Sequence, residues 1–145
     1  GIRDVRWPGR FDIVCRKPLF IIDGGHNPQC IEALVKNIQD YLAGKKVIAI
    51  TGVLADKDYA DMYKPVMPLV DRFVCITPPN PRKLEAEQLA RYLRQAGAQA
   101  QASESILDGV KKAMELAGKD GVVLCFGSLY SIGGIRDAQA FPAYQ

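Results

Sequence analysis

The segment FIIDGGHNPQC (20–30) combines residue types that can bind an anion. Asp23 ends an apolar run, where a carboxylate can reach solvent or a ribose hydroxyl. The two glycines after it let a ligand approach the backbone closely. His26 and Asn27 precede a predicted helix, whose free N–H groups and dipole favour a negative charge. The segment therefore predicts either an anion site or an ordinary strand-to-helix turn in which Asn27 is the cap.

Two further loops carry side chains that can contact a ligand. In GVLADKD (52–58), Lys57 lies between two acids, where it can hold a phosphate or carboxylate, or belong to a solvated charge run. In CFGSLYSIGG (125–134), Ser128 follows an apolar strand and can hydrogen-bond a ligand carboxylate or cap a short helix. Because Gly-x-Ser-x-Gly is absent, Ser128 is not predicted to be a hydrolase nucleophile.

Several kinds of site are excluded by the residues that the sequence lacks. It contains neither G-x-x-x-x-G-K-[ST] nor G-x-G-x-x-G, so we expect no triphosphate cradle of its own. The chain has one histidine and four scattered cysteines, which do not form a zinc-ligand pattern, so we predict no metal site. The cysteines form no Cys-x-x-Cys pair, which favours reduced, structural thiols in a cytoplasmic protein.

Length and charge indicate an ordinary globular domain. The 145 residues fit one domain, 1–145, and can bury a core without disulfide or metal staples. The net charge of +3, from 19 basic and 16 acidic residues, is too small and too mixed to predict a nucleic-acid or membrane partner.

Short apolar runs alternate with helical stretches along the chain. Predicted strands cover 11–15, 19–23, 46–52, 72–77, 98–102 and 121–128, and predicted helices cover 28–42, 59–70, 84–95 and 106–117, the last capped by Ser103 or Ser105. The three-residue link 16–18 can join only antiparallel neighbours. The alternation predicts an α/β, Rossmann-like three-layer sandwich: a mostly parallel six-stranded sheet with an antiparallel first edge strand and helices on both faces. Loops at the carboxyl ends of its strands are where ligands bind.

Four segments in order resemble the C-terminal domain of folylpolyglutamate synthase/dihydrofolate synthase, in the Mur ligase superfamily. They are WPGRFDIV (7–14), FIIDGGHNPQ (20–29), GVLADKD (52–58) and FGSLYSIGGIR (126–136). The sequence differs from the family signature at Gly25, where alanine is usual. This exchange of small residues changes no implied ligand role.

The resemblance implies half of an ATP-dependent ligase that joins L-glutamate to a folate or dihydropteroate carboxylate through an acyl phosphate. In the family, an N-terminal domain carries the P-loop, the magnesium ligands and most of the folate site. The chain begins at Gly1 without an initiator Met, so we expect 1–145 to be the C-terminal, glutamate-side domain of a longer two-domain chain. ATP and Mg²⁺ would then serve the full-length enzyme, with Mg²⁺ held mainly by the absent N-terminal domain, and the isolated domain would be inactive.

The resemblance also implies roles for individual residues. Arg10, Asp23 and His26 would contact ATP, and His26 would be the catalytic residue beside the γ-phosphate and the reacting centre. The residues implied for glutamate are Ser128, Lys57 and Tyr130. Tyr130 fits a core position equally well.

Two other functions remain open at this point. The chain can be a stand-alone nucleotide- or anion-binding module without catalysis, or the C-terminal domain of another Mur-type amino-acid ligase. An NTP-binding domain encoded upstream would separate the ligase from the binding module. The sequence does not distinguish dihydrofolate synthase from folylpolyglutamate synthase activity, because that choice lies in the folate pocket.

Overall fold

The computed structural model describes residues 11–16, 19–23, 28–56 and 58–127. Its strands are β1 (Phe11–Arg16), β2 (Leu19–Asp23), β3 (Val47–Gly52), β4 (Arg72–Cys75), β5 (Ala100–Ala102) and β6 (Val122–Gly127). Its helices are α1 (Pro28–Tyr41), α2 (Tyr59–Tyr63), α3 (Ala86–Gln95) and α4 (Ile106–Ala117), with one 3₁₀ turn at Met67–Leu69.

Strands β2 to β6 form a parallel sheet, and β1 pairs antiparallel with β2 at its edge. The spatial order is β1-β2-β6-β3-β4-β5, so the last strand lies between β2 and β3. Every residue of β2, β3 and β6 is buried, as expected for strands covered on both faces. The prediction of an α/β fold built on a parallel sheet with surrounding helices is confirmed.

The strand order decides which face each helix covers. The connections β2–α1–β3, β3–α2–β4 and β4–α3–β5 all advance in one direction across the sheet, whereas β5–α4–β6 returns. Because such crossovers are right-handed, α1, α2 and α3 pack on one face and α4 alone packs on the other. The two faces accordingly hold separate cores, with Leu34, Tyr63 and Leu89 in the first and Val110 and Ala113 in the second.

The predicted helix 59–70 is wrong in its extent. Helix α2 ends at Tyr63, and the chain continues through turns and the 3₁₀ segment. Pro65 and Pro68 explain the difference, because proline lacks the N–H donor and clashes with the preceding helical turn. The other element ends lie within two residues of the predicted ones.

Ser105 is the cap of α4. Its side chain accepts a hydrogen bond of 3.0 Å from the Asp108 backbone N–H. Ser103, the other predicted cap, instead donates from Oγ to the Cys75 carbonyl oxygen at 3.0 Å. One serine therefore begins the helix, and the other fixes the turn before it to the end of β4.

A buried hydrogen bond of 2.6 Å joins the Tyr63 hydroxyl to Thr51 Oγ1, near the end of β3. The Tyr63 ring is fully buried and packs edge-on against Phe73 and at a tilt against Phe126. Burial raises the pKa of Tyr63 well above its ordinary value of 10.0, and burial raises the pKa of the Cys75 thiol from 9.0 to about 12.

These two groups should make the fold sensitive to alkali. Because both pKa values are higher in the folded chain, the unfolded chain loses the protons first. The stability they contribute is complete below about pH 9 and declines above it, first through Cys75 and then, above about pH 10, through Tyr63. We expect Tyr63→Phe to flatten the decline above pH 10 in denaturant unfolding, with Tyr41→Phe, at an exposed position, as the control. An unchanged decline in Tyr63→Phe would contradict this.

Candidate functional site

Three neighbouring parallel strands end side by side at one edge of the sheet. The final residues of β2, β6 and β3 are Asp23, Gly127 and Gly52, in that spatial order. We call these three residues the carboxyl edge. Ligands bind beyond this end of the strands in open α/β sheets, so the edge is the candidate site.

Asp23 is the charged residue of the carboxyl edge. Its exposed fraction is 5%, and its Cα pairs with that of Phe11, the first residue of β1. An ionised carboxylate offers only acceptors, so it suits the hydroxyl groups of a ribose or the N–H groups of a neighbouring loop. Its position at the strand end agrees with the prediction.

At the centre of the edge, Gly52 leaves no space for a side chain on Gly127. The two residues are register partners on β6 and β3. Gly127 has a φ of +121°, and a Cβ built on it would lie 2.2 Å from the Gly52 carbonyl oxygen and 3.1 Å from Thr51 Oγ1. Only glycine fits here, so the middle of the edge presents bare backbone.

The loop after β3 is anchored to the loop after β4. The Ala55 N–H donates to the Arg82 carbonyl at 2.7 Å, and the Leu84 N–H donates to the Val53 carbonyl at 3.0 Å. Arg82 Nη1 also lies 2.9 Å from Asp56 Oδ2, in an exposed ion pair. The loop is therefore held in place up to Asp56, the residue before Lys57.

Asp58 occupies the N-cap position of α2, but its side chain makes no capping hydrogen bond. A hydrogen bond with Asp61, together with the negative charge of that residue, raises the pKa of the Asp58 carboxyl. The two acids on either side of Lys57 thus have different partners, Arg82 for Asp56 and Asp61 for Asp58.

Asp23 is the one predicted site residue among those that the structure describes. The others lie outside the described residues: Arg10, His26, Lys57, Ser128 and Tyr130. In the sequence, Arg10 precedes Phe11, which faces Asp23, and Ser128 follows Gly127. The chain neighbours of these two residues therefore reach the carboxyl edge.

Sequence reasoning missed Gly127 and Arg82. The signal for Gly127 was a glycine directly after the apolar run VVLCF, at the end of a central strand. No pattern in the sequence around Arg82 indicates its role, because its partner belongs to a different loop.

Over the described ranges, no group of three His, Cys, Asp or Glu side chains is arranged to hold a metal ion. No helix in the same ranges combines the length and apolar character needed to cross a membrane.

The chain is similar to known glutamate-adding enzymes. Residues 9–129 match the family model described as Mur ligase, glutamate ligase domain. The dihydrofolate synthase/folylpolyglutamate synthase of Escherichia coli (strain K12) is 31% identical over 137 residues, which cover 94% of this chain and 32% of that protein.

Two solved structures share the fold. E. coli FolC in complex with DHPP and ADP has a TM-score of 0.81 at 30% identity, and the match covers 94% of this chain and 32% of that one. A bifunctional folylpolyglutamate synthase/dihydrofolate synthase with Mn, AMPPNP and L-glutamate bound has a TM-score of 0.78 at 31% identity, over 93% and 32% of the two chains. This chain thus spans about a third of the length of these relatives. The chain belongs to the family of Mur ligase glutamate ligase domains.

Proposed function

We propose that this chain is the glutamate-side domain of an ATP-dependent ligase that joins L-glutamate to a folate or dihydropteroate carboxylate. The observation that carries the proposal is the family match over residues 9–129, a range that contains the whole carboxyl edge. The names and bound ligands of the similar enzymes add support for ATP and glutamate as substrates. Its proposed compartment is the cytoplasm, and its proposed protein partner is an N-terminal ATPase domain of the same chain.

The proposed reaction has two bond-forming steps. The γ-phosphoryl group of ATP passes to the folate carboxylate, which becomes an acyl phosphate, and ADP leaves. The amine of glutamate then attacks the acyl carbon, and phosphate leaves from the tetrahedral intermediate. Because water also attacks an acyl phosphate, the two domains must close around it.

On the nucleotide side, the carboxyl edge supplies a buried acceptor beside bare backbone. Asp23 would accept hydrogen bonds from the nucleotide, and Gly52 and Gly127 present no side chains beside it. We assign Arg10 to phosphate or ribose oxygens. We propose that His26 donates a hydrogen bond to the negative charge that develops between the γ-phosphate and the reacting carbon. Such a donor stabilises the transition state.

On the glutamate side, the proposal uses the two loops that flank the edge. Ser128 would hydrogen-bond the glutamate, and Lys57 would bind one of its carboxylates or the departing phosphate. Tyr130 would line the same pocket. Residues 53–56, which precede Lys57 in the sequence, are anchored to residues 82–84.

Mg²⁺ is assigned to the ATPase domain. In the described part of this chain the acidic side chains form no metal-holding group, so those described residues do not fit the ion. When bound elsewhere, the ion would neutralise phosphate charge. We therefore assign no Mg²⁺ ligand within this chain.

The gene tests the two-domain arrangement. We expect the reading frame upstream of the Gly1 codon to encode a G-x-x-x-x-G-K-[ST] loop, and the purified 145-residue chain to release no ADP from ATP. ADP release by the chain alone, or a frame that lacks such a loop, would contradict the proposal and favour a stand-alone binding module.

A further inference from the structure

A cavity lies at the opposite end of the sheet from the carboxyl edge. It has a volume of about 310 Å³ and is formed where β4 and β5 begin. Its lining residues are Arg72, Phe73, Arg94, Ala98, Gln99, Ala100 and Gln101. We call it the amino-end cavity.

Arg94 enters this cavity with its guanidinium already fixed. Nη1 donates to the Ala100 carbonyl oxygen at 3.0 Å, and Nη2 donates to Glu87 Oε1 at 2.8 Å. The planar group thus has two restraints, and a ligand need not order it. The Glu87 carboxylate offsets much of its charge.

Arg72 supplies the charge that is not offset. It is exposed at the first position of β4, and no acid in the described ranges pairs with it. The adjacent Asp71 is engaged on the other side of the strand, where its Oδ2 accepts from the Val47 N–H at 2.7 Å. No carboxylate lines the cavity within the part of the chain that is described.

The rest of the lining favours an organic ligand. Ala98 and Ala100 are half-buried and give the cavity a small apolar surface, and Gln99 and Gln101 carry amide donors. The volume lies at the small end of the range for ligand pockets, and it is larger than a bare phosphate needs. A single guanidinium matches carboxylate or phosphate oxygens in a bidentate geometry.

We propose that the amino-end cavity binds a small organic anion through Arg72 and Arg94. Because it lies at the other end of the strands, this site is separate from the carboxyl edge and does not depend on the proposed ligase reaction. Its ligand would be an effector and not a substrate.

Calorimetric titration of the 145-residue chain with glutarate tests the proposal, with inorganic phosphate as the second probe. Both probes carry about two negative charges near pH 7.5, so a difference between their affinities reflects the shape of the anion and not its charge. The test variant is Arg72→Gln. The matched control is Arg91→Gln, which removes the same charge from an exposed position of α3 that does not line the cavity.

We expect saturable binding of one glutarate, weakened at least about tenfold by Arg72→Gln and changed less than about twofold by Arg91→Gln. Phosphate should bind clearly more weakly than glutarate. Absence of glutarate binding, or equal weakening by both variants, would overturn the site. Equal affinity for phosphate and glutarate would overturn the assignment to an organic anion. Unfolding curves of both variants are recorded to check that the fold is retained.

Discussion

Replacement of Gly127 by alanine is expected to lower the free energy of unfolding by about 3 kcal/mol or more. The new Cβ would lie 2.2 Å from the Gly52 carbonyl oxygen, which belongs to a central strand and cannot rotate away. The φ of +121° adds backbone strain for any residue with a side chain. Urea unfolding of the 145-residue chain measures the effect.

Gly97→Ala is the matched control for this variant. Gly97 has a φ of +100°, but its added Cβ would meet nothing within 4 Å. It should cost only the conformational strain, about 1–2 kcal/mol. If both variants lose the same stability, the close approach of β3 and β6 at the carboxyl edge is not as we describe it.

Asp23→Ala and His26→Ala are expected to lower glutamate-dependent ADP formation by roughly tenfold or more, each tested in the full-length gene product. Asp23 would lose its contact with the nucleotide, and His26 would lose its stabilisation of the reacting centre. Asp23→Asn separates charge from packing, because it keeps the size of a side chain that is 5% exposed. It should also lose activity.

Asp40→Asn serves as the control for these variants. Asp40 is an exposed acid on α1 that pairs with Lys36 at 3.5 Å, so its loss should change turnover little. Turnover as high in Asp23→Asn and His26→Ala as in Asp40→Asn would remove both residues from the proposed site. If Asp23→Asn is unfolded under the conditions of the assay, its loss of activity would assign Asp23 a structural role only.

The α/β fold was predictable because its signals are local. The apolar run KVIAITG specifies a strand buried on both faces, and β3 has that burial at every position. The placement of β6 between β2 and β3 was not predictable from such runs, because strand order depends on contacts between distant segments. The predicted helix 59–70 is too long because Pro65 and Pro68 do not allow α2 to continue beyond Tyr63.

Some residues of the candidate site were likewise predictable from the sequence, and others were not. Asp23 was identified because a strand end and an acid are adjacent in the sequence. Gly127 was not predicted, because the requirement for glycine at this position comes from Gly52, its partner on another strand. Arg82 likewise acquires its place at the site only when the loops after β3 and β4 pair with each other. Long-range pairing, and not residue type, decides these positions.

The most direct test of the ligase assignment is an assay of the full-length gene product with MgATP, L-glutamate and either dihydropteroate or a reduced folate. Mass spectrometry follows the folate, and ADP is measured in parallel. We predict that the acceptor gains one glutamyl residue for each ADP formed, and that neither product appears without glutamate. A folded full-length protein that adds no glutamate to either acceptor would contradict the assignment.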